Sequence, residues 1–176
     1  MSFVFDIALS FASEDQSLVE KVYHYLKAEN LKVFFAPSSE AQTKLSGENQ
    51  REIFYKIFGG DSNYVALFVS KDYIWREIPM EEANIAFAKH IENGKVIPIY
   101  LDNTSLPQDL LDPKNTNYFK SNNSAIIASH IAKKIKHQES QQTPESKSDE
   151  VKNTMNINNN KAIKQIFIQE LNIKES

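Results

Sequence analysis

The chain has 176 residues, 41% hydrophobic and 24% charged, with a net charge of −3 and no cysteine. This is the composition of a globular protein with enough length for one well-buried core. It excludes a disulfide framework, a thiolate metal site and a cysteine nucleophile, and it offers no basic footprint for nucleic acid.

The opening MSFVFDIALSF lacks the basic start and continuous apolar run of a signal peptide. No stretch approaches the roughly 20 apolar residues that cross a bilayer. The expectation is a cytoplasmic protein with neither membrane nor nucleic acid as a partner.

Residues 4–10 read as a first strand, and residues 14–29 as a helix. Leu18, Val22, Tyr25 and Leu26 recur at helical spacing there, with Ser13 as the expected N-cap. Residues 32–36 form a second strand. Residues 37–47, PSSEAQTKLSG, have the composition of a mobile surface loop, in which Lys44 reads as a solvated lysine rather than a phosphate ligand. A helix over 48–58 precedes the third strand, 64–70, whose run YVALFV suits burial on both faces of a parallel sheet.

Residues 79–92 predict a helix that opens on Pro79, favoured in a first turn, and stops before Asn93-Gly94. A fourth strand over 96–101 and a weaker fifth over 117–120 follow. The helix over 124–136 carries Ile127, Ile131 and Ile135 on one stripe. Residues 138–160 are almost free of apolar side chains, which predicts a flexible linker. Residues 161–176 regain amphipathic spacing through Ile163, Ile166, Phe167 and Leu171, as a short helix or a disordered tail. The expected organisation is one domain over 1–137, then this linker and this C-terminal segment, with no further sensor or effector domain.

Strands alternating with helices predict an α/β fold with right-handed crossovers. Five strands suit a flavodoxin-like parallel sheet of order 2-1-3-4-5, with helices on both faces and a ligand beyond the carboxyl ends of the strands. That rule selects residues 11–15, 37–47 and 71–82. The four histidines, His24, His90, His130 and His137, are scattered, read as surface or helix-flank residues, and lack metal-ligand spacing. Neither Gly47 nor Gly59-Gly60 belongs to a G-x-G-x-x-G pattern. No metal and no resident cofactor are expected.

The stretch FDIALSFASEDQSLVEKVYHYLKAENLKVFF resembles the opening of a bacterial TIR (Toll/interleukin receptor) domain. FVSKDYIWREIPMEEANIAFA, followed by GKVIPIYLD, resembles the third strand, third helix and fourth strand of that family, so the likeness covers residues 5–136. It implies the TIR fold. In catalytic members, a glutamate on the third helix is required to cleave the nicotinamide–ribose bond of NAD+. It follows a tryptophan by four positions and precedes a small residue by four. Matching Ser70 and Tyr73 to the family's serine and tyrosine places the catalytic residue at Glu82, with Ala86 as the small residue. Ile78 then occupies the tryptophan position, while Trp75 lies seven residues before Glu82. Glu81 competes for the role, since a slip of one residue exchanges the two.

The resemblance also implies Ser10 and Phe11 as substrate-binding residues beside the nucleotide, with Ile78 on the ribose pocket. Phe11 either stacks on the ligand or packs under the following helix, and Ser10 bonds either the ligand or local backbone. NAD+ would be a substrate, not a recycled cofactor. The loop after the second strand gates the pocket in the family and mediates TIR–TIR self-association.

Nicotinamide in NAD+ is already cationic and departs neutral, so no acid is needed to protonate the leaving group. A single ionised carboxylate can stabilise the oxocarbenium-like ribose. Glu82, in the first turns of a helix starting near Pro79, is expected to be ionised, the dipole favouring charge by roughly 0.3–1 kcal/mol. The product is ADP-ribose or a cyclic isomer. A stand-alone TIR protein resembles the signalling component of Thoeris-type antiphage systems, which implies a nucleotide messenger in antiviral defence and a separate effector protein that senses it. The alternative is a non-catalytic TIR–TIR adaptor, for which Ile78 in the tryptophan position is the argument. A phosphorelay receiver is excluded: Asp6 lies too early in the first strand, and the third strand ends at Ser70 instead of an aspartate.

Overall fold

The structure, a computed structural model, describes residues 3–90, 94–107, 110 and 118–142, with side chains through 138. Five strands form one parallel sheet: β1 (Phe5–Ser10), β2 (Val33–Phe34), β3 (Ser62–Val69), β4 (Val96–Tyr100) and β5 (Phe119–Lys120). Their order is β2-β1-β3-β4-β5, as expected from the alternation of strands and helices. The register pairs Ser10 with Leu67 and Val69 with Tyr100, so β3 and β4 end level while β1 stops two residues short of β3.

The helices are α1 (Gln16–Ala28), α2 (Ser39–Leu45), α3 (Gln50–Lys56), α4 (Lys71–Trp75), α5 (Glu77–His90) and α6 (Ser124–Gln142). Successive β3 side chains point to opposite faces. Val65, Leu67 and Val69 pack with Phe34, Phe54, Phe58, Ala83 and Phe87, under α3 and α5. Tyr64, Ala66 and Phe68 pack with Val19, Val22, Leu26, Ile127, Ile131 and Ile135, under α1 and α6. Each fully buried aliphatic or aromatic side chain contributes about 1.5–3 kcal/mol, so this two-faced burial holds β3 at the centre. The isoleucine stripe of α6 is wholly buried, as its spacing predicts.

Several local expectations change. Ser13 does not cap α1, because Ser13–Asp15 form a 3-10 turn and the Ser13 hydroxyl donates to Glu14 at 3.1 Å. Tyr25 is exposed, and the buried stripe of α1 runs Val19, Val22, Leu26. The segment expected as a loop over 37–47 contains α2, where the Ser38 hydroxyl accepts from the Ala41 N–H at 3.2 Å and Ala41 is buried. Gly47, at φ +79, follows in the left-handed region that glycine adopts without strain. Ser70 likewise caps α4, accepting from the Tyr73 N–H at 3.2 Å. Helix α5 starts at Glu77, two residues before Pro79, which still sits in the first turn where its missing N–H costs nothing.

Strand β5 is shorter than expected, and residue 117 lies outside the described residues. Residues 138–142, placed by composition in the linker, continue α6, and they contain no glycine or proline to stop it. The remainder of the expected linker and the C-terminal segment 161–176 lie outside the described residues.

Candidate active site

Ser10 ends β1 and is fully buried. Its Oγ lies 2.7 Å from the hydroxyl of Tyr73, itself fully buried on α4. The Tyr73 hydroxyl also donates to the Pro79 carbonyl at 2.9 Å. The Ser10 hydroxyl also stands near enough to the carboxyl of Glu82 on α5 to lower its pKa. Ser10, Tyr73 and Pro79 thus form one row, with Glu82 beside Ser10.

Each hydroxyl has a single proton, and Tyr73 gives its own to the Pro79 carbonyl, so Ser10 donates to Tyr73.

Glu82 is only 7% exposed, and burial pushes its carboxyl up to about 8. The Ser10 hydrogen bond pulls it down, and the neighbouring Glu81 charge pushes it up. The expectation of an ionised Glu82 is therefore corrected: in the free protein at neutral pH the carboxyl is mainly protonated. Because α5 begins at Glu77, Glu82 falls in its second turn, beyond the dipole's reach, and desolvation prevails. Burial, and then Glu82, also push the Tyr73 phenol well above its usual value.

Two cavities meet at Glu82. The larger, about 450 Å³, is lined by residues that include Phe11, Gln16, Pro37, Arg76, Ile78 and Glu82. The smaller, about 270 Å³, is lined by Gln50, Arg51, Phe54, Glu77, Ile78, Glu81, Glu82 and Ile85. Phe54, Glu77, Ile78 and Glu82 border both.

Of the residues singled out from sequence, Phe11, Ile78 and Glu82 share the larger cavity, while Ser10 is buried and does not line it. Phe11 stacks on Phe35 at 5.4 Å and lines the larger cavity. Ile78 is 47% exposed, and Trp75 is 78% exposed at the end of α4. Glu81, by contrast with Glu82, is part-exposed and accepts from Arg51 at 3.1 Å, while Arg51 also reaches Glu77 at 2.7 Å.

Lys44 lies over the Phe5 ring, 4.9 Å from its centroid, beside a separate cavity. His90 is not a surface residue: it is buried, with Nε2 2.9 Å from the Phe58 carbonyl. His130 is half-buried and stacks on Phe119 at 4.0 Å. Among the described residues no group of His, Asp and Glu could hold a metal ion. Nor is any described helix long and apolar enough to cross a membrane.

Sequence reasoning missed Tyr73 as a partner of Ser10, because 63 residues separate them. It also missed Arg51 and Arg76. Arg76, which lines the larger cavity, pairs with Glu14.

A five-stranded parallel sheet of this order, with a buried carboxyl at its carboxyl edge, defines an α/β domain of the flavodoxin-like class. Residues 7–133 match the TIR domain family, and the chain belongs to it. A curated relative, the 3' cyclic ADP-D-ribose synthase AaTIR of Aquimarina amphilecti, is 32% identical over 108 residues. That match covers 60% of this chain and 32% of AaTIR, so the chain matches about a third of that relative's length.

The TIR domain of the Toll-related receptor TRR-2 from Hydra magnipapillata superposes with a TM-score of 0.59 at 15% identity, covering 75% of this chain and 98% of that one. A metazoan TIR-STING receptor from C. gigas, solved with 2',3'-cGAMP, gives 0.53 at 19% identity, covering 73% and 40%. At these identities the two structures show the shared fold.

Proposed function

We propose that this chain cleaves the nicotinamide–ribose bond of NAD+, releasing nicotinamide and ADP-ribose or a cyclic ADP-ribose isomer. The observation that carries this reading is the buried carboxyl of Glu82 where two cavities meet, at the edge of the sheet where such folds bind ligands. The name of AaTIR, a cyclic ADP-ribose synthase, supports the same chemistry.

The pyridinium ring brings a positive charge to a carboxyl that burial keeps protonated. An opposite charge within about 4–6 Å favours the ionised form, so substrate binding expels the Glu82 proton to solvent. The Ser10 hydroxyl, held by Tyr73, favours the carboxylate form. As the C1'–N bond breaks, its electron pair leaves with nicotinamide. The carboxylate stabilises the positive charge that develops on the ribose. Water then adds to C1' and passes a proton to Glu82, giving ADP-ribose; a nucleophile within the same molecule gives a cyclic isomer instead. Phe11 and Ile78 hold the ribose between them.

The same reading makes the product a cytoplasmic messenger in bacterial antiviral defence, sensed by a separate effector, and makes TIR–TIR self-association part of activation. Incubation with NAD+, followed by chromatography and mass spectrometry of the products, tests it. Free nicotinamide and an ADP-ribose species should accumulate with wild-type protein, and Glu82→Gln should end their formation. If no nicotinamide appears at any protein concentration, the enzymatic reading fails and the non-catalytic TIR–TIR adaptor takes its place. The exposed Ile78 in the tryptophan position is the observation that favours that second reading.

A further inference from the structure

The two cavities flanking Glu82 differ in charge. The smaller presents three carboxyl groups, Glu77, Glu81 and Glu82, against one guanidinium, Arg51, which already pairs with two of them. The larger is lined by only two of those carboxyl groups, Glu77 and Glu82, and by one cationic residue, Arg76. Its partner Glu14 is part-exposed, so the pair can open at little cost.

Resting on the function proposed above, we propose that NAD+ binds astride Ile78, with its nicotinamide ring in the smaller cavity beside Gln50 and Glu81 and its pyrophosphate in the larger cavity against Arg76. Size agrees with this division. Pockets that enclose drug-sized molecules run to about 300–1,000 Å³, so a dinucleotide needs both chambers, whereas a single substituted pyridine ring suits the smaller alone. Glu82 borders both cavities, so a ligand spanning them carries its ring–ribose bond past that carboxyl.

Charge sets the direction. A cationic ring is attracted to a chamber rich in carboxyl groups, and Gln50 offers a donor and an acceptor to the carboxamide. A pyrophosphate gains a bidentate guanidinium partner in Arg76, which exchanges Glu14 for it. The opposite orientation would press two phosphates against Glu81, which lines the smaller cavity alone, and leave Arg76 facing a cation.

Product inhibition separates the two chambers. Initial rates of NAD+ cleavage are measured against added nicotinamide and, separately, added ADP-ribose, for wild type, Gln50→Ala, Arg76→Ala and Arg76→Lys. Gln50 and Arg76 are both exposed, and thermal melts establish that the variants fold.

Arg76→Ala should weaken inhibition by ADP-ribose about tenfold, the size of one charge-assisted hydrogen bond, and leave inhibition by nicotinamide within about twofold. Arg76→Lys should recover part of the loss. Gln50→Ala should do the reverse, weakening nicotinamide about threefold to tenfold and sparing ADP-ribose. Effects assigned to the opposite products, equal effects on both, or no effect from either variant overturn the assignment while NAD+ cleavage itself stands. A wild-type protein that releases no nicotinamide overturns the function, and this inference with it.

Discussion

Replacing Glu82 by glutamine should stabilise the fold at neutral and alkaline pH while abolishing turnover. The unfolded chain's carboxyl titrates near 4.5, and burial raises it to about 8 in the folded protein. Between those values the native state holds a proton that the unfolded chain has released. Stability therefore falls as pH rises, by about 1.4 kcal/mol per pH unit. The penalty is absent below pH 4.5, reaches about 3 kcal/mol at pH 7, and levels off near 5 kcal/mol above pH 8. Glutamine has the same shape and does not titrate. At about 3 °C per kcal/mol for a domain of this size, Glu82→Gln should melt about 10 °C above wild type at pH 7, with the two converging toward pH 4.5. Circular dichroism at 222 nm is the suitable readout, because the single tryptophan, Trp75, is already 78% exposed and its emission would change little. Parallel melting temperatures from pH 4.5 to 8 would refute the reasoning, since they would mean that Glu82 titrates as it does in the unfolded chain.

The same carboxyl should govern activity. kcat/KM for NAD+ should climb about tenfold per pH unit below an apparent pKa near 8, whereas a limb near 4.5 would mean an already ionised base. Tyr73→Phe removes the hydroxyl that holds Ser10 beside Glu82. The alkaline displacement of that limb should be about half to one pH unit, and an unmoved limb would mean the hydroxyl row does not couple to Glu82. Glu14→Gln releases Arg76 from its ion pair, so KM for NAD+ should fall with kcat unchanged; a raised KM would indicate that Glu14 positions Arg76 rather than competing for it.

Much of the fold was legible because β1, β3 and β4 are short apolar runs separated by helices of crossover length, and only a few topologies accommodate that pattern. Helices α2 and α4 escaped because periodicity needs several turns. Each is a turn or two long, with one fully buried residue, Ala41 or Tyr73, and each is fixed by a serine cap. Phe11 and Glu82 were reachable from sequence through the rule of strand ends together with a family resemblance. The titration of Glu82 was not, because a helix position gives the dipole but burial decides the pKa, and burial comes from elements far apart in the chain. Arg51 and Arg76 carry no local signature either; their meaning lies in which cavity each one faces.

The account rests on the Glu82 carboxyl standing beside the sugar carbon that loses nicotinamide. Its most direct test is nicotinamide release at pH 8 and saturating NAD+ by wild type, Glu81→Gln and Glu82→Gln side by side. Glu81→Gln should retain turnover with a raised KM, and Glu82→Gln should lose turnover by about a thousandfold while remaining folded. Turnover retained by Glu82→Gln, with loss confined to Glu81→Gln, would contradict it.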